Sequence, residues 1–299
     1  MSKKNETKPC TIHGVVCCAD FYLRMLERGD KNKKCEGRDF YMILRRLGNK
    51  SKIAADIQKH FPQHKCYIEP FFGAGGMFFN KPKAKYNIVN DNDSDVFNLF
   101  NVISNNKDEL EKIFYMMPVH QDLLNYWKTN NETDPIKKAI RFLFLSNLTY
   151  LGKGQTLGLT AYNNSKKIMY NLIDITNKLI FDVQFANMDF RNFLKNISFD
   201  DRGNNGTKTA FIYCDPPYLG TDNNYESGFT EHDSIELFNS LNETGCKWAM
   251  SEFNHPFILE QAKQRKLNVI TIGERQNLKN RRTEILVTNY KNHATLFDI

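Results

Sequence analysis

Short apolar runs recur along the chain, each ending in a polar or glycine-rich break, as expected of strands covered on both faces rather than on one. They fall at Cys66-Tyr67-Ile68-Glu69, at Tyr86-Asn87-Ile88-Val89-Asn90, and at residues 180–186, 210–214, 247–251, 267–272 and 284–288. Between the later runs, residues 234–242 and 256–266 carry apolar positions at helical spacing. A further helix is predicted to start near Asp93-Ser94-Asp95, whose acidic side chains suit a helix amino terminus. Residues 105–178 read as helical and loop-rich, with 137–148 a helix that buries Ile140, Leu143, Phe144 and Asn147 on one face. Strands alternating with helices imply an α/β fold, a mostly parallel sheet with helices on both faces. The predicted organisation is an amino-terminal extension (1–37) of unassigned role, an α/β domain built from 38–104 and 179–299, and a helical insertion (105–178). The Arg202-Gly203-Asn204-Asn205-Gly206 stretch reads as a surface loop.

Composition narrows the classes without choosing among them. A chain of 299 residues, 41% of them hydrophobic, can bury a full core in one large or two small domains. It shows no apolar stretch that would span a bilayer, and Met1-Ser2-Lys3-Lys4 begins no secretory leader, so no membrane partner is expected and the location expected is intracellular. A net charge of +7 is compatible with a polyanionic partner. Five residues able to ligate a metal, Cys10, His13, Cys17, Cys18 and Cys35, crowd the amino-terminal arm. Their spacing matches no zinc module, so reduced thiols and no metal are expected.

Candidate chemistry gathers at the ends of two apolar runs. Phe211-Ile212-Tyr213-Cys214 delivers Asp215, Pro216, Pro217 and Tyr218 to the carboxyl end of a strand, where ligands of open α/β sheets bind. The prolines fix φ and lack N–H groups, so a carboxylate and a free carbonyl are held beside an aromatic plate. Two acceptors gripping an aromatic amine make its nitrogen more tetrahedral, and a ring face clamps the planar substrate, with stacking worth about 1–3 kcal/mol per base. The run ending at Glu69 enters Pro70-Phe71-Phe72-Gly73-Ala74-Gly75-Gly76 and is expected to continue into a helix at Met77-Phe78-Phe79-Asn80. Glycine lets the backbone approach a nucleotide-like ligand closely. Bulky Phe78 stands at the third glycine of a dinucleotide fingerprint, which disfavours a pyrophosphate ligand and favours a cofactor without phosphates. Asp91, after the next strand, is placed to accept two ribose hydroxyls.

In this order these segments resemble the Dam-like family of DNA adenine-N6 methyltransferases, from about residue 40 to residue 290. The resemblance implies a Rossmann-like class I methyltransferase sheet with a helical target-recognition insertion, and S-adenosylmethionine as the methyl donor. It makes Glu69, Pro70, Phe71, Gly73 and Gly75 the cofactor loop, Asp91 the ribose ligand, and Asp189 and Phe190 of Asn187-Met188-Asp189-Phe190 the adenine-binding pair. Arg45-Arg46-Leu47-Gly48-Asn49-Lys50-Ser51-Lys52 resembles the amino-terminal motif usually written Gly-Gly-Lys, with Asn49 at the second glycine, and places Lys50 near the cofactor. Asp215, Pro216, Pro217 and Tyr218 become the catalytic tetrapeptide.

The implied partner is double-stranded DNA, with a cognate restriction endonuclease left open; the implied location is the cytoplasm, nucleoid or nucleus, wherever the DNA is. Thr149-Tyr150-Leu151-Gly152-Lys153-Gly154-Gln155-Thr156 stands where the family has Tyr-Asn-Gly-x-x-Arg. Leu151 and Gln155 depart from that pattern, so recognition of GATC does not carry over. Tyr150 or Tyr162 is a candidate wedge between bases, and Lys153, Lys166 and Lys167 are candidate phosphate contacts. The basic segment holding Arg281 and Arg282 reads as a loop beside the target strand, and Asn223, Asn224, Tyr225 and Phe229 as a lid. Alternatives remain: the same chemistry on RNA adenine, cytosine-N4 methylation, for which Ser is usual at the place of Asp215, or an inactive DNA-binding relative.

Overall fold

The computed structural model describes residues 42–46, 48–159, 164–201, 203–220, 228–276 and 281–291. The cysteine-rich arm, Tyr162, Asn223, Asn224 and Tyr225 lie outside the described residues. A sheet is formed by β1 (Cys66–Glu69), β2 (Tyr86–Asn90), β3 (Val183–Ala186), β4 (Ala210–Cys214), β5 (Lys247–Phe253), β6 (Asn268–Gln276) and β7 (Arg281–Thr288). Its order is β3-β2-β1-β4-β5-β7-β6. The first five strands run parallel, while β7 is antiparallel to both of its neighbours. This is the Rossmann-like class I methyltransferase sheet that the resemblance implied. A separate short antiparallel pairing joins Asp200–Asp201 to Asn204–Asn205, the latter within the stretch expected as a surface loop.

Strand alternation sorts side chains into two apolar layers. Ile68, Ile212, Cys214, Trp248, Met250, Ile285 and Val287 face one side, where they pack with α7 (Phe190–Asn196), α8 (Glu231–Glu243) and α9 (Pro256–Gln264). Tyr67, Val89, Phe211, Tyr213, Ala249 and Leu286 face the other. That side carries α1 (Ala54–Gln58), α2 (Ser94–Asn105), α3 (Lys107–Met116), α4 (Gln121–Thr129), α5 (Pro135–Asn147) and α6 (Ser165–Ile180). The predicted insertion therefore has no core of its own; α3 to α6 share one continuous apolar cluster with the sheet. No helix among the described residues is long and apolar enough to cross a membrane.

Helix starts follow the expected chemistry. Asp93 caps α2 by accepting from the Asp95 amide. Asp134 caps α5 ahead of Pro135, and Thr230 with Asp233 forms a capping box on α8. Three predicted elements change. The strand expected from residue 180 begins only at Val183, because Met169, Leu172, Ile173, Thr176 and Ile180 continue one buried helical face. The helix expected after the glycine loop is a single 3₁₀ turn, Phe78–Asn80. Pro82 accounts for this: it forces the preceding Lys81 into extended backbone. Arg281 and Arg282 lie not in a loop but in β7, paired with Gln276 and Arg275 of β6.

Candidate active site

Parallel pairing puts the working ends of four strands on one edge. Ile68 aligns with Ile212, Glu69 with Val89, and Asn90 with Ala186, so the segments beginning at Pro70, Asp91, Asn187 and Asp215 all leave the sheet in the same direction. Asn90 ties three of these segments together. Its amide donates to the Pro70 carbonyl at 3.0 Å and the Met188 carbonyl at 2.9 Å, and its oxygen accepts from the Met188 amide at 3.1 Å. Asn187 adds a bond to the Asp91 carbonyl at 2.7 Å. A buried polar side chain with all these bonds satisfied holds the loops in register.

On the β1–β3 side the residues suit an adenosine-like ligand. Gly73 adopts φ +54°, and the space where a Cβ would stand is open. At Gly75, φ +72°, a Cβ would lie 2.4 Å from the Phe79 ring, so the loop is compressed against its own aromatic core. Asp91 accepts from the Gly73 amide at 2.6 Å and the Asp93 amide at 2.9 Å. Burial raises its pKa above the usual carboxylate range, and the two amides oppose that rise. Asp189 caps α7 and pairs with Arg191 at 3.0 Å, while its side chain stays 39% exposed and available to a ligand. Phe71, Phe190 and Phe229 form an aromatic cluster, with Phe71 centred 5.5 Å from Phe190 and 6.1 Å from Phe229. Phe229 thus belongs to this wall, though it was expected in a lid. Glu69 is 2% exposed and one of its oxygens accepts from the Tyr67 hydroxyl at 2.8 Å; burial holds its pKa well above the ordinary value. Carboxylates, backbone amides and aromatic faces around an open glycine fit the adenosine and sulfonium parts of S-adenosylmethionine.

On the β4 side Asp215, Pro216, Pro217 and Tyr218 follow the strand as expected, and Lys50, whose backbone lies against Gly76 of the glycine loop, extends its side chain to them. Its Nζ lies 2.8 Å from Asp215 Oδ1, 3.6 Å from Glu284 Oε1 and 4.4 Å from the centre of the Tyr218 ring. The Tyr218 hydroxyl donates to Glu284 Oε1 at 2.5 Å, and Phe253 meets the Tyr218 ring edge-on at 4.7 Å. Glu252 braces the loop from below: one oxygen accepts from the Leu219 amide at 2.8 Å and the other from the Phe253 amide at 3.1 Å. Burial pushes the Glu252 carboxyl up to about 8, and the neighbouring carboxylates of Asp215 and Glu284 add to the rise.

The candidate nucleic-acid residues divide. Tyr150, 67% exposed, and Lys153 project from the loop after α5. That loop is fixed by the Thr149–Leu157 bridge, by the Tyr150 amide on the Thr156 carbonyl at 2.7 Å, and by the Gly154 amide on the Thr149 hydroxyl at 2.8 Å. Lys166 is engaged otherwise: its ammonium donates to the Tyr115 and Met117 carbonyls, closing the end of α3. Lys167, its neighbour, is exposed. Arg282 donates to the Gly220 carbonyl at 2.9 Å and stands 5.4 Å from the Phe253 ring centre, so it anchors the segment after Tyr218.

Glu252, Glu284 and Asn90 escaped the sequence reading. The signal for the first two was present: each is a carboxylate set in an apolar run, Trp248-Ala249-Met250-Ser251-Glu252-Phe253 and Glu284-Ile285-Leu286-Val287. A charge at such a position is seldom left buried without a partner.

Comparison with known proteins agrees with this geometry. Residues 47–284 match the family model for the D12 class N6 adenine-specific DNA methyltransferase. The DNA adenine methylase of Haemophilus influenzae is 31% identical over 206 residues, covering 65% of this chain and 69% of that protein. The DNA adenine methylase of Escherichia coli K12 is 26% identical over 208 residues, covering 65% and 71%. A type II methyltransferase of Lactococcus lactis is 24% identical over 280 residues, covering 82% and 94%. With the glycine loop and the Asp-Pro-Pro-Tyr tetrapeptide side by side at the strand ends, and most of its length inside the family model, the chain belongs to the D12 class of N6 adenine-specific DNA methyltransferases.

Proposed function

We propose that this protein transfers a methyl group from S-adenosylmethionine to N6 of an adenine rotated out of double-stranded DNA. The observation that supports this reading is the parallel pairing of β1 with β4, from which the glycine loop and the Asp-Pro-Pro-Tyr segment leave the same edge of the sheet. Gly73, Gly75, Pro70 and Phe71 would form the cofactor cradle, Asp91 would take the ribose, and Asp189 with Phe190 would take the adenine end, with Glu69 as its buried support. When bound, S-adenosylmethionine supplies a methyl already activated by positive charge on sulfur.

The protein's own work is then to extract, orient and deprotonate. Removing a base from the stack costs a few kcal/mol, least where the base is weakly paired. Stacking on Tyr218 and bonds to Asp215 and the Pro216 carbonyl offset part of that cost. Those two acceptors hold the amino hydrogens, so the nitrogen lone pair points away from them toward the glycine bend. Pro217 stiffens the turn that fixes the separation. Alignment of this kind can supply about 7–11 kcal/mol of the barrier through effective molarity. Asp215 accepts the proton that the alkylated nitrogen sheds. Tyr150 and Lys153 face solvent on the rigid loop after α5 and serve as wedge and phosphate contact. Arg281 and Arg282, carried on β7, would serve as phosphate contacts. The Lactococcus relative's name as a type II methyltransferase extends the reading to a cognate restriction endonuclease, and the site of action is wherever the DNA is.

Label from tritiated S-adenosylmethionine, followed into enzymatically digested DNA, tests the assignment. Label in N6-methyldeoxyadenosine supports it; label in N4-methyldeoxycytidine, or only in RNA, refutes it.

A further inference from the structure

We propose that the Lys50 ammonium is a built-in surrogate for the target amine: it fills the acceptor site on Asp215 and the face of Tyr218, and it must withdraw toward Glu284 when the base enters. This rests on the adenine-N6 reading of the same site.

Lys50 Nζ is a nitrogen donor 2.8 Å from Asp215 Oδ1, the position that an exocyclic amine held by Asp215 would occupy. It also stands 4.4 Å from the Tyr218 ring centre, where a stacked ring would lie. Base and ammonium cannot share that volume. Phe253 already closes on Tyr218 edge-on, and Tyr218 is only 7% exposed, so the face under Lys50 is the one that displacement would open.

Displacing a buried cation is prohibitive unless a second anion receives it. The Lys50 side chain is 4% exposed, and Glu284 Oε1, on a side chain 1% exposed, waits 3.6 Å away. Closing that separation to hydrogen-bond length transfers the ammonium from one carboxylate to another. The same Glu284 oxygen holds the Tyr218 hydroxyl, so the ring stays anchored during the exchange. Lys50 is therefore a positioning residue that acts through Asp215 and Tyr218. It preserves the shape of the empty pocket and makes entry conditional on a group able to replace its hydrogen bond. A pyrimidine or purine without a suitably placed amine leaves Asp215 unpaired once Lys50 has gone.

The test measures three quantities, the KM for unmethylated DNA, the kcat, and calorimetric affinity for S-adenosylmethionine, in the full-length protein and three variants. Lys50→Met removes the competitor, and the KM for DNA is expected to fall about threefold or more with no rise in kcat. Lys50→Arg, whose fork can bridge both carboxylates, should raise the KM for DNA about threefold or more. Glu284→Gln removes the receiving anion and should raise it about tenfold. In all three, affinity for S-adenosylmethionine should stay within about twofold of the parent. A KM for DNA that rises in Lys50→Met, or that is unmoved across the set, overturns the inference. So does a loss of cofactor affinity in Lys50→Met beyond about tenfold, because Lys50 would then touch the cofactor. If Lys50→Met does not fold, the other two variants still decide. Absence of methyl transfer by the parent protein would instead sink the functional reading.

Discussion

Asn49 fits against the glycine loop because residue 76 has no side chain: a Cβ on Gly76 would lie 2.2 Å from Asn49 Oδ1 and 3.0 Å from the Lys50 amide. Asn49 Oδ1 also accepts from the Ser51 amide at 2.9 Å, which closes the turn that delivers Lys50. The departure from the family's Gly-Gly-Lys is thus accommodated across the interface, by the glycine opposite.

Gly76→Ala should break this fit. Asn49 must leave Ser51 or the Lys50 backbone must shift, and the expected loss of stability is about 1–3 kcal/mol. Urea denaturation of Gly76→Ala alone and combined with Asn49→Gly checks it. The second change should restore about half the loss or more; simple additivity would count against a direct clash.

Tyr218 carries two functions that can be separated. Tyr218→Phe keeps the ring and should retain stacking, yet it removes the donor to buried Glu284, with an expected stability loss of about 1–3 kcal/mol. Tyr218→Ala removes the stacking plate and should reduce methyl transfer by about 10-fold or more. Thermal melts together with single-turnover rates distinguish the two; an unchanged melting temperature in Tyr218→Phe would show that the hydroxyl bond contributes nothing.

Glu252 should make stability depend on pH. Burial lifts its folded-state pKa to about 8 from an ordinary value of 4.5, so the folded protein holds this proton more tightly than the unfolded chain. Its contribution is full below about pH 4.5 and is lost as pH rises through about 8. Relative to the parent, Glu252→Gln should gain stability as pH rises from 5 to 9. Urea midpoints measured across that range give the difference, and a difference independent of pH would exclude Glu252 as its source.

Asp91→Ala removes the acceptor that bonds the Gly73 and Asp93 amides, and S-adenosylmethionine affinity should fall about 10-fold or more. Calorimetry reads the change. Affinity equal to that of the parent would remove Asp91 from the cofactor site.

The parallel strands and the two loops at their tips were legible because local composition announces them. Phe211 to Cys214 is apolar at every position, Pro216 and Pro217 stop it, and Gly73 and Gly75 mark the other bend. What stayed hidden is pairwise and distant in sequence. Nothing near Lys50 indicates that it will meet Asp215, since that contact depends on the turn at Gly48 and Asn49 packing on Gly76. Lys166 looked available on a polar stretch, and only the folded chain brings the Tyr115 and Met117 carbonyls to it. Arg281 and Arg282 looked like loop residues because charge masks strand propensity; cross-strand bonds to β6 override that local signal.

Methyl transfer by the parent protein and by Asp215→Ala, measured with tritiated S-adenosylmethionine on adenine-containing DNA alongside calorimetric cofactor binding, bears most directly on the whole account. The expectation is cofactor affinity within about twofold of the parent and a rate reduced by about 10²-fold or more. Equal rates in the two proteins would contradict it, because the amine would then be presented to the methyl group by something other than Asp215.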